Sequence, residues 1–278
     1  MQFSTWSYEN FTFHGVSIAG LCTTIHVKEL GVAFDVANGP LFLNSARHFF
    51  LTHGHADHAA GLPYLLSMRA LTKQPQAQVY LPESLLEPME KILKLWQEIE
   101  GHNYNYVLHP VRPERIFHVK GIYFVKPFPT IHRIPSTGYT VFEVKKKLKR
   151  ELLEASREEI MALKDEGKEI HEIEETPVIS FTGDTQIEFF DRCEWIKKSK
   201  ILFMEVSFID DKRTVDETRF WGHIHLEELL PRIREFEGEK LVLIHLSARY
   251  RSEDLIGILQ KRLSPEEFAK VHVFPRGE

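Results

Sequence analysis

Four side chains that can bind a metal ion lie within six residues of one another. The segment reads Thr52-His53-Gly54-His55-Ala56-Asp57-His58 and directly follows the hydrophobic run Phe49-Phe50-Leu51. Imidazole nitrogens together with a carboxylate suit divalent ions such as Zn, Mn or Fe(II). Ligands at positions 53, 55 and 57 alternate, so an extended strand end would present them on one side. Four ligands in so short a segment exceed what one tetrahedral ion takes, which favours two adjacent ions.

The composition of the chain is typical of a folded globular protein. Of 278 residues, 43% are hydrophobic, 27% are charged and only 2 are cysteine, which argues against a disordered tail or a disulfide scaffold. A formal net charge of −5 gives no support for non-specific nucleic-acid binding. No apolar run reaches the roughly 20 residues of a spanning helix, so no membrane partner is expected. Low cysteine content and a start without signal-peptide character predict a cytoplasmic setting.

The hydrophobic pattern predicts an α/β chain that could position these ligands at strand ends. Strands are predicted over residues 11–18, 23–28, 32–36, 47–51, 122–127, 140–144, 178–181, 201–206, 241–245 and 271–274. Helices are predicted over residues 82–100, 148–166, 223–236 and 252–263, and a capping box at Ser264 opens one more. The apolar residues of the helix at 82–100 are expected to form one buried stripe. The charged residues 145–175 are expected to form a solvated helix face.

The order His-x-His-x-Asp-His in residues 53–58 resembles the hallmark of the metallo-β-lactamase superfamily. The resemblance implies three further ligands, each near the end of a predicted strand, in the segments Ile131-His132-Arg133, Gly183-Asp184-Thr185 and Ile244-His245-Leu246. Strand carboxyl ends are where α/β sheets build their sites. The resemblance also implies the fold class, a four-layer αββα sandwich of two mixed sheets flanked by helices. Residues 1–278 would form one such domain.

Longer segments are similar to the ribonuclease Z (tRNA 3′-processing endonuclease) branch of that superfamily. Residues 132–139 follow its His-x5-Gly-Tyr signature, and residues 245–250 follow His-x-Ser-x-Arg-Tyr. Trp221-Gly222-His223 is similar to a Gly-His motif whose histidine works with a glutamate as the proton donor. Glu205 lies in a segment similar to the motif that carries this glutamate. Asp35 fits the aspartate that ends an earlier strand in the family.

The resemblance implies a ligand role for seven side chains around two divalent ions, with Zn favoured and Mn or Fe as alternatives. Two such ions activate water and stabilise the attacking and leaving oxygens of a phosphodiester. One ion would take His53, His55 and His132, the other would take Asp57, His58 and His245, and Asp184 would bridge them.

The remaining roles concern protons and the substrate. Asp57 would also orient the attacking water or accept its proton. His223, held protonated by Glu205, would protonate the leaving group. Arg249 would contact phosphate or fix the last loop through a carboxylate, and Ser247 is a weaker candidate for a substrate contact.

Two features of the ribonuclease Z branch are not evident, and both concern the substrate. Residues 15–22 read Gly-Val-Ser-Ile-Ala-Gly-Leu-Cys, where the branch cradles the tRNA 3′ end with a Gly-Thr-Ser-Ser-Gly type loop. A long Gly/Pro-tipped tRNA-binding arm is also not evident between His132 and Asp184, although the basic residues 145–150 would serve as a reduced RNA contact.

Three functional alternatives therefore stay open. The leading one is a phosphodiesterase acting on tRNA 3′ ends, with a smaller nucleotide or aryl phosphodiester close behind. A thioester or lactone hydrolase is second, although a thiolate leaving group needs little protonation and so gives His223 no task. A non-catalytic RNA-binding protein that keeps metal only for folding is third. A homodimer is expected from the family.

Overall fold

The computed structural model describes residues 3–274, which form two β-sheets and the helices around them. In chain order the strands are β1 Ser4–Tyr8, β2 Phe11–Ala19, β3 Cys22–Val27, β4 Val32–Phe34, β5 His48–Phe50, β6 Ala77–Pro82, β7 Tyr106–Val111, β8 Phe117–Lys120, β9 Tyr123–Pro129, β10 Thr137–Leu148, β11 His171–Phe181, β12 Ile201–Glu205, β13 Lys240–Ile244, β14 Leu246–Ser247 and β15 Val271–Val273. The helices are α1 Ala56–Ala59, α2 Leu62–Leu71, α3 Glu83–Glu100, α4 Arg157–Asp165, α5 Phe189–Arg192, α6 Glu194–Lys197, α7 Val215–Phe220, α8 Leu226–Ile233, α9 Ser252–Arg262 and α10 Pro265–Lys270.

Both sheets are mixed. The first runs β1-β2-β3-β4-β5-β6-β7, with β14 added parallel to β2. The second runs β15-β13-β12-β11-β10-β9-β8. In each sheet an antiparallel half joins a parallel half, formed by β4 to β7 in the first and by β11, β12, β13 and β15 in the second. The predicted pair of mixed sheets is confirmed.

Three hydrophobic clusters make these sheets the inner layers of an αββα sandwich. The central cluster combines residues of both sheets, and its aromatic rings pack across the interface. The ring centroids of Phe34 and Phe181 lie 4.9 Å apart, and those of Phe13 and Phe203 lie 4.8 Å apart. Burying one such ring contributes about 1.5–3 kcal/mol. A second cluster packs α8 and α9 on the outer face of the second sheet, and a third packs α2 and α3 on that of the first.

This arrangement brings the carboxyl ends of several buried strands to one place. β4 ends one residue before Asp35, and β12 ends at Glu205. β13 ends one residue before His245, and β11 ends three residues before Asp184. Because parallel strands of one sheet end at the same edge, these polar side chains lie close together.

The helix predicted over residues 148–166 is wrong in its first half. Of these residues only Leu148 belongs to a strand, residues 150–152 form one 3₁₀ turn, and the α-helix is α4, with a capping box at Ser156. The charged segments 145–148 and 171–175, which were expected on a helix face, instead lie in β10 and β11, and these strands pair across ten registered positions. Opposite charges favour this pairing, since the Lys147 ammonium meets the Glu174 carboxylate across the hairpin at 2.6 Å. Tertiary pairing here overrides the helical preference of Lys and Glu.

The single buried stripe predicted for α3 is also wrong. Met89 and Leu93 are buried, but Ile92, Trp96 and Ile99 are 47%, 45% and 73% exposed. α3 covers β6 and β7, and β7 is the edge strand of its sheet, so only one side of the helix finds a partner there.

Several elements lie where no strand or helix was predicted. The strands are β1, β6, β7, β8 and β14, and the helices are α1, α2, α5, α6 and α7. The helix predicted from residue 223 begins instead at Leu226, with His225 as its N-cap. Within the described chain, every helix is too short or too polar to cross a lipid bilayer.

Candidate metal centre

Four side chains form a first group of metal-binding atoms. The His55 Nδ1 atom lies 3.1 Å from His53 Nε2 and 3.2 Å from His132 Nε2. The Asp184 Oδ2 atom lies 3.6 Å from His53 Nε2 and 4.0 Å from His132 Nε2. These atoms all lie within 4.8 Å of one another, as the ligands of a single ion would.

A second group faces the other oxygen of the same carboxylate. His58 Nε2 and His245 Nε2 each lie 3.3 Å from Asp184 Oδ1. Asp57 Oδ2 lies 3.5 Å and 3.6 Å from the same two nitrogens. Because each oxygen of Asp184 faces a different group, this carboxylate is placed to bridge two ions.

The second group contains buried polar atoms that the protein itself leaves unsatisfied. Among the described residues, His58 Nε2, His245 Nε2 and Asp184 Oδ1 are buried without a hydrogen-bond partner. Leaving such an atom unpaired costs about 1–3 kcal/mol. One divalent cation would satisfy all three, so the donor set fits a metal ion. These clusters of histidine and aspartate side chains therefore imply divalent metal ions.

Four of the five candidate ligand histidines have their outer ring nitrogen held by a hydrogen bond. Such contacts fix the ring orientation of metal-binding histidines. Sequence reasoning noted only Asp35 among the partners, because the others carry no motif of their own. The pairs are Thr52 Oγ1 with His53 Nδ1 (2.9 Å), Asp35 Oδ2 with His58 Nδ1 (2.7 Å), Gly222 O with His132 Nδ1 (2.9 Å) and Ser207 Oγ with His245 Nδ1 (3.0 Å).

The electrostatics favour the metal-binding protonation states of Asp184, His53 and Asp57. Burial alone would raise the pKa of Asp184, but the charges of His245 and His58 hold it well below its usual range. Burial, reinforced by the charge of His58, lowers the pKa of His53 to about 2. Burial would also raise the pKa of Asp57, yet the neighbouring imidazoles of His245 and His58 lower it to about 2. Carboxylates and a neutral imidazole are therefore ready to coordinate. Burial alone would lower the pKa of His58, but the charges of Asp184 and Asp35 raise it well above its usual value, so His58 would release a proton on binding metal.

The backbone around the cluster differs from the alternating strand end that was predicted. β5 ends at Phe50, and His55 is the extended N-cap of α1, so Asp57 and His58 lie on a helical turn. Alternation is therefore wrong for Asp57. An acidic residue in the first turn interacts favourably with the helix dipole, which explains the early helix start.

Two site residues adopt left-handed backbone conformations. Asp35 has φ 54° and His245 has φ 58°. Each costs of order 1–3 kcal/mol for a non-glycine residue and persists where surrounding contacts hold it. Thr52 donates its backbone N–H and its hydroxyl to Asp35, and the backbone N–H of His245 donates to Ser17 Oγ at 2.9 Å.

A histidine–glutamate pair lies beside the two groups. His223 Nδ1 lies 2.9 Å from Glu205 Oε1, and the His223 ring centroid is 5.2 Å from those of both His132 and His245. Glu205 is fully buried and also accepts from the Thr185 N–H. Burial alone would lower the pKa of His223, but the charge and hydrogen bond of Glu205 raise it to about 9. His223 is therefore protonated at neutral pH.

The two predicted substrate contacts belong to neither group. The Arg249 guanidinium lies 4.6 Å from the ring centroid of Phe208 and 5.3 Å from that of Tyr250. No carboxylate of the described chain forms an ion pair with it. Ser247 is half-buried in β14, where its N–H donates to Ser207 O at 3.0 Å. Their contact with substrate stays a prediction.

Sequence reasoning missed the contact that the turn between β2 and β3 makes with this site. The backbone N–H of Gly20, between β2 and β3, donates to Asp57 Oδ2 at 3.1 Å. The segment that lacks the family loop motif therefore still reaches the centre. The glycine at a hairpin turn was the available signal.

Gly222→Ala is expected to weaken metal binding about 10–100-fold and to destabilise the fold by about 1–3 kcal/mol. Gly222 has φ 81°, and a Cβ there would lie 2.7 Å from His132 Nδ1, so the His132 ring would have to shift. Metal titration of the apoprotein and thermal unfolding measure both effects. Gly257→Ala is the control, because a Cβ on this helical glycine meets nothing within 4 Å. Equal metal affinity in the two variants would contradict the role of Gly222.

Comparison with known proteins agrees with this geometry. Residues 40–246 match the family model described as beta-lactamase superfamily domain. The tRNase Z TRZ1 of Arabidopsis thaliana is 34% identical over 271 residues, covering 96% of this chain and 97% of that protein. Ribonuclease Z of Staphylococcus aureus (strain Newman) is 26% identical over 259 residues, covering 85% and 82% respectively.

A solved structure supports the fold independently. The crystal structure of human tRNase Z, short form, superimposes with a TM-score of 0.64 at 18% identity, covering 100% of this chain and 98% of that one. The structural match shows a shared fold, whereas the sequence matches show the family to which the chain belongs. The chain therefore belongs to the metallo-β-lactamase superfamily and, within it, to the ribonuclease Z (tRNase Z) family.

Proposed function

We propose that this protein is a metal-dependent endoribonuclease that cleaves a phosphodiester bond at the 3′ end of transfer RNA precursors. The observation that carries the proposal is the Asp184 carboxylate facing two groups of ligands, with the His223–Glu205 pair beside them. The relatives named tRNase Z and ribonuclease Z support the choice of substrate. The hydrolase class follows from the family.

Seven side chains would hold two ions. Zn is the proposed metal, because three imidazoles with one carboxylate oxygen, and two imidazoles with two, suit a borderline divalent ion. Such ions supply Lewis-acid stabilisation of the phosphodiester oxygens and lower the pKa of water. The first group is His53, His55, His132 and Asp184, and the second is Asp57, His58, His245 and Asp184.

Two side chains would handle the protons. Asp57 is half-buried beside the second group of candidate ligands, and its low pKa keeps it ionised. Its carboxylate would therefore accept a proton from the attacking water. His223 donates its Nδ1–H to Glu205, which leaves the Nε2 proton for the departing ribose 3′ oxygen. Glu205 is a positioning residue that keeps His223 charged and correctly turned.

The alternative hydrolase reactions fit the site less well. The thiolate that leaves a thioester needs little protonation, whereas the His223–Glu205 pair is built to hold a proton beside the candidate ligands. A protein that kept metal only for folding would have no use for this buried pair.

A cleavage assay tests the proposed function. Incubated with a precursor tRNA carrying a 3′ trailer, the protein is expected to release a tRNA with a 3′-hydroxyl and a trailer with a 5′-phosphate. Chelation of the metal should stop the reaction, and Zn should restore it. Turnover of a thioester or lactone in place of precursor tRNA and bis(p-nitrophenyl) phosphate would overturn the proposal.

The same proposal extends to the rest of the chain. Residues 1–278 would act as one domain without a long tRNA-binding arm, and the β10–β11 hairpin would contact RNA through its basic residues 145–150. The low cysteine content supports a cytoplasmic location. A homodimer would bury the exposed apolar face of α3 described above, and sedimentation equilibrium of the wild type against Trp96→Lys tests that interface.

A further inference from the structure

Two exposed aromatic side chains and an arginine form a cluster outside the catalytic groups. Phe220 is 73% and Trp221 is 45% exposed, and their ring centroids lie 5.4 Å apart at an interplanar angle of 88°. The Arg133 guanidinium lies over the Trp221 ring, 4.8 Å from its centroid. Large aromatic rings exposed side by side are unusual unless they bind something.

The backbone ties this cluster directly to the centre. Arg133 follows the ligand His132, and Trp221 precedes Gly222, whose carbonyl oxygen accepts from His132 Nδ1 at 2.9 Å. His223, the proposed acid, comes two residues after Trp221. The cluster therefore lies at the rim of the site, on the side from which His223 would protonate the leaving group.

The charge and surroundings of Arg133 indicate which kind of ligand would bind at this cluster. Among the described residues no carboxylate forms an ion pair with it, although it is exposed. It also lines a cavity of about 530 Å³ that reaches His132. An arginine that stacks on an aromatic ring and has no carboxylate partner is well placed to bind a nucleobase and the phosphate next to it.

We propose that Trp221, Phe220 and Arg133 form a stacking platform for one nucleobase of the RNA, that of the nucleotide whose 3′ oxygen leaves. This inference rests on the proposed function and adds a substrate subsite to it. The base stacks on the cluster while Arg133 faces a neighbouring backbone phosphate. Stacking tolerates any base, so the platform sets the position of the strand rather than its sequence.

A double-mutant cycle between protein and RNA tests the platform. Trp221→Ala is expected to lower kcat/KM for precursor tRNA about tenfold or more, whereas Trp221→Phe keeps most of it. Removing the base of the nucleotide 5′ to the cleaved bond should lower wild-type kcat/KM by a similar factor. Trp221→Ala should then lose little more on the abasic RNA, because the two changes remove the same contact.

Controls separate a binding defect from a folding defect. Both Trp221 variants should hydrolyse bis(p-nitrophenyl) phosphate within about twofold of wild type. Ile122 is an exposed apolar residue in the turn between β8 and β9, and Ile122→Ala should leave both reactions unchanged. Arg133→Gln should reduce the slope of log affinity against log salt by about one.

The outcomes distinguish this inference from the proposed function. If wild type cleaves precursor tRNA and the effects of Trp221→Ala and the abasic site multiply, the platform is wrong and the function stands. If wild type cleaves no precursor tRNA at all, the proposed function fails and the platform fails with it.

Discussion

Asp184→Asn is expected to lower hydrolysis of precursor tRNA and of bis(p-nitrophenyl) phosphate alike by at least about 10³-fold. Among residues 3–274, Asp184 is the one side chain whose two oxygens face the two groups, with Oδ1 3.3 Å from His58 Nε2 and Oδ2 3.6 Å from His53 Nε2. An amide presents one oxygen and no charge, so it cannot bridge two cations. Initial rates on both substrates, with bound metal counted by elemental analysis, measure the effect.

Asp191→Asn is the matched control for this substitution. Asp191 lies in α5 and pairs with Arg232 at 2.7 Å on the surface, where the loss of one ion pair costs about 0–1 kcal/mol. It should keep wild-type rates and metal content. An Asp184→Asn protein that retained two ions per chain and rates within tenfold of wild type would refute the bridging role.

His223→Ala is expected to lower cleavage of precursor tRNA by about 10²–10⁴-fold while changing bis(p-nitrophenyl) phosphate turnover little. The ribose 3′ oxygen is a poor leaving group that needs a proton, whereas p-nitrophenolate leaves without one. His223 lies beside both ligand groups and is charged at neutral pH because of Glu205. The ratio of the two rates isolates proton donation from metal chemistry.

The pH profile of this reaction adds a second readout. An acid with a raised pKa is active below that pKa, so cleavage of RNA should fall as pH rises through about 9. Glu205→Gln removes the charge that raises the pKa of His223, so the fall should begin at lower pH. His118→Ala, at an exposed strand position, should leave the profile unchanged. Equal loss on both substrates in His223→Ala would mean that His223 does not act as the acid.

Much of the fold followed from the sequence because several strands, such as β12 and β13, are short hydrophobic runs that are buried along almost their whole length. The two mixed sheets and the family are confirmed, and β12 and β13 lie where the pattern predicts them. The charged hairpin was missed because Lys-rich and Glu-rich segments favour helices locally, while their pairing depends on contacts 23 or more residues apart.

The candidate ligands could be predicted from the sequence because their spacing is that of a family motif. Their role in binding metal stays a prediction, although all seven lie together in two groups. The residues that orient these ligands by hydrogen bonds could not be predicted, because a backbone carbonyl such as that of Gly222 or a hydroxyl such as that of Ser207 belongs to no recognisable sequence pattern. Such contacts exist only once distant strand ends meet.

Anomalous X-ray scattering from crystals of the zinc-loaded protein tests the central claim most directly. Two peaks are expected about 3.5–4 Å apart on opposite oxygens of Asp184, one among His53, His55 and His132 and the other among Asp57, His58 and His245. A single peak, or peaks away from Asp184, would contradict the two-metal site from which the proposed chemistry is derived.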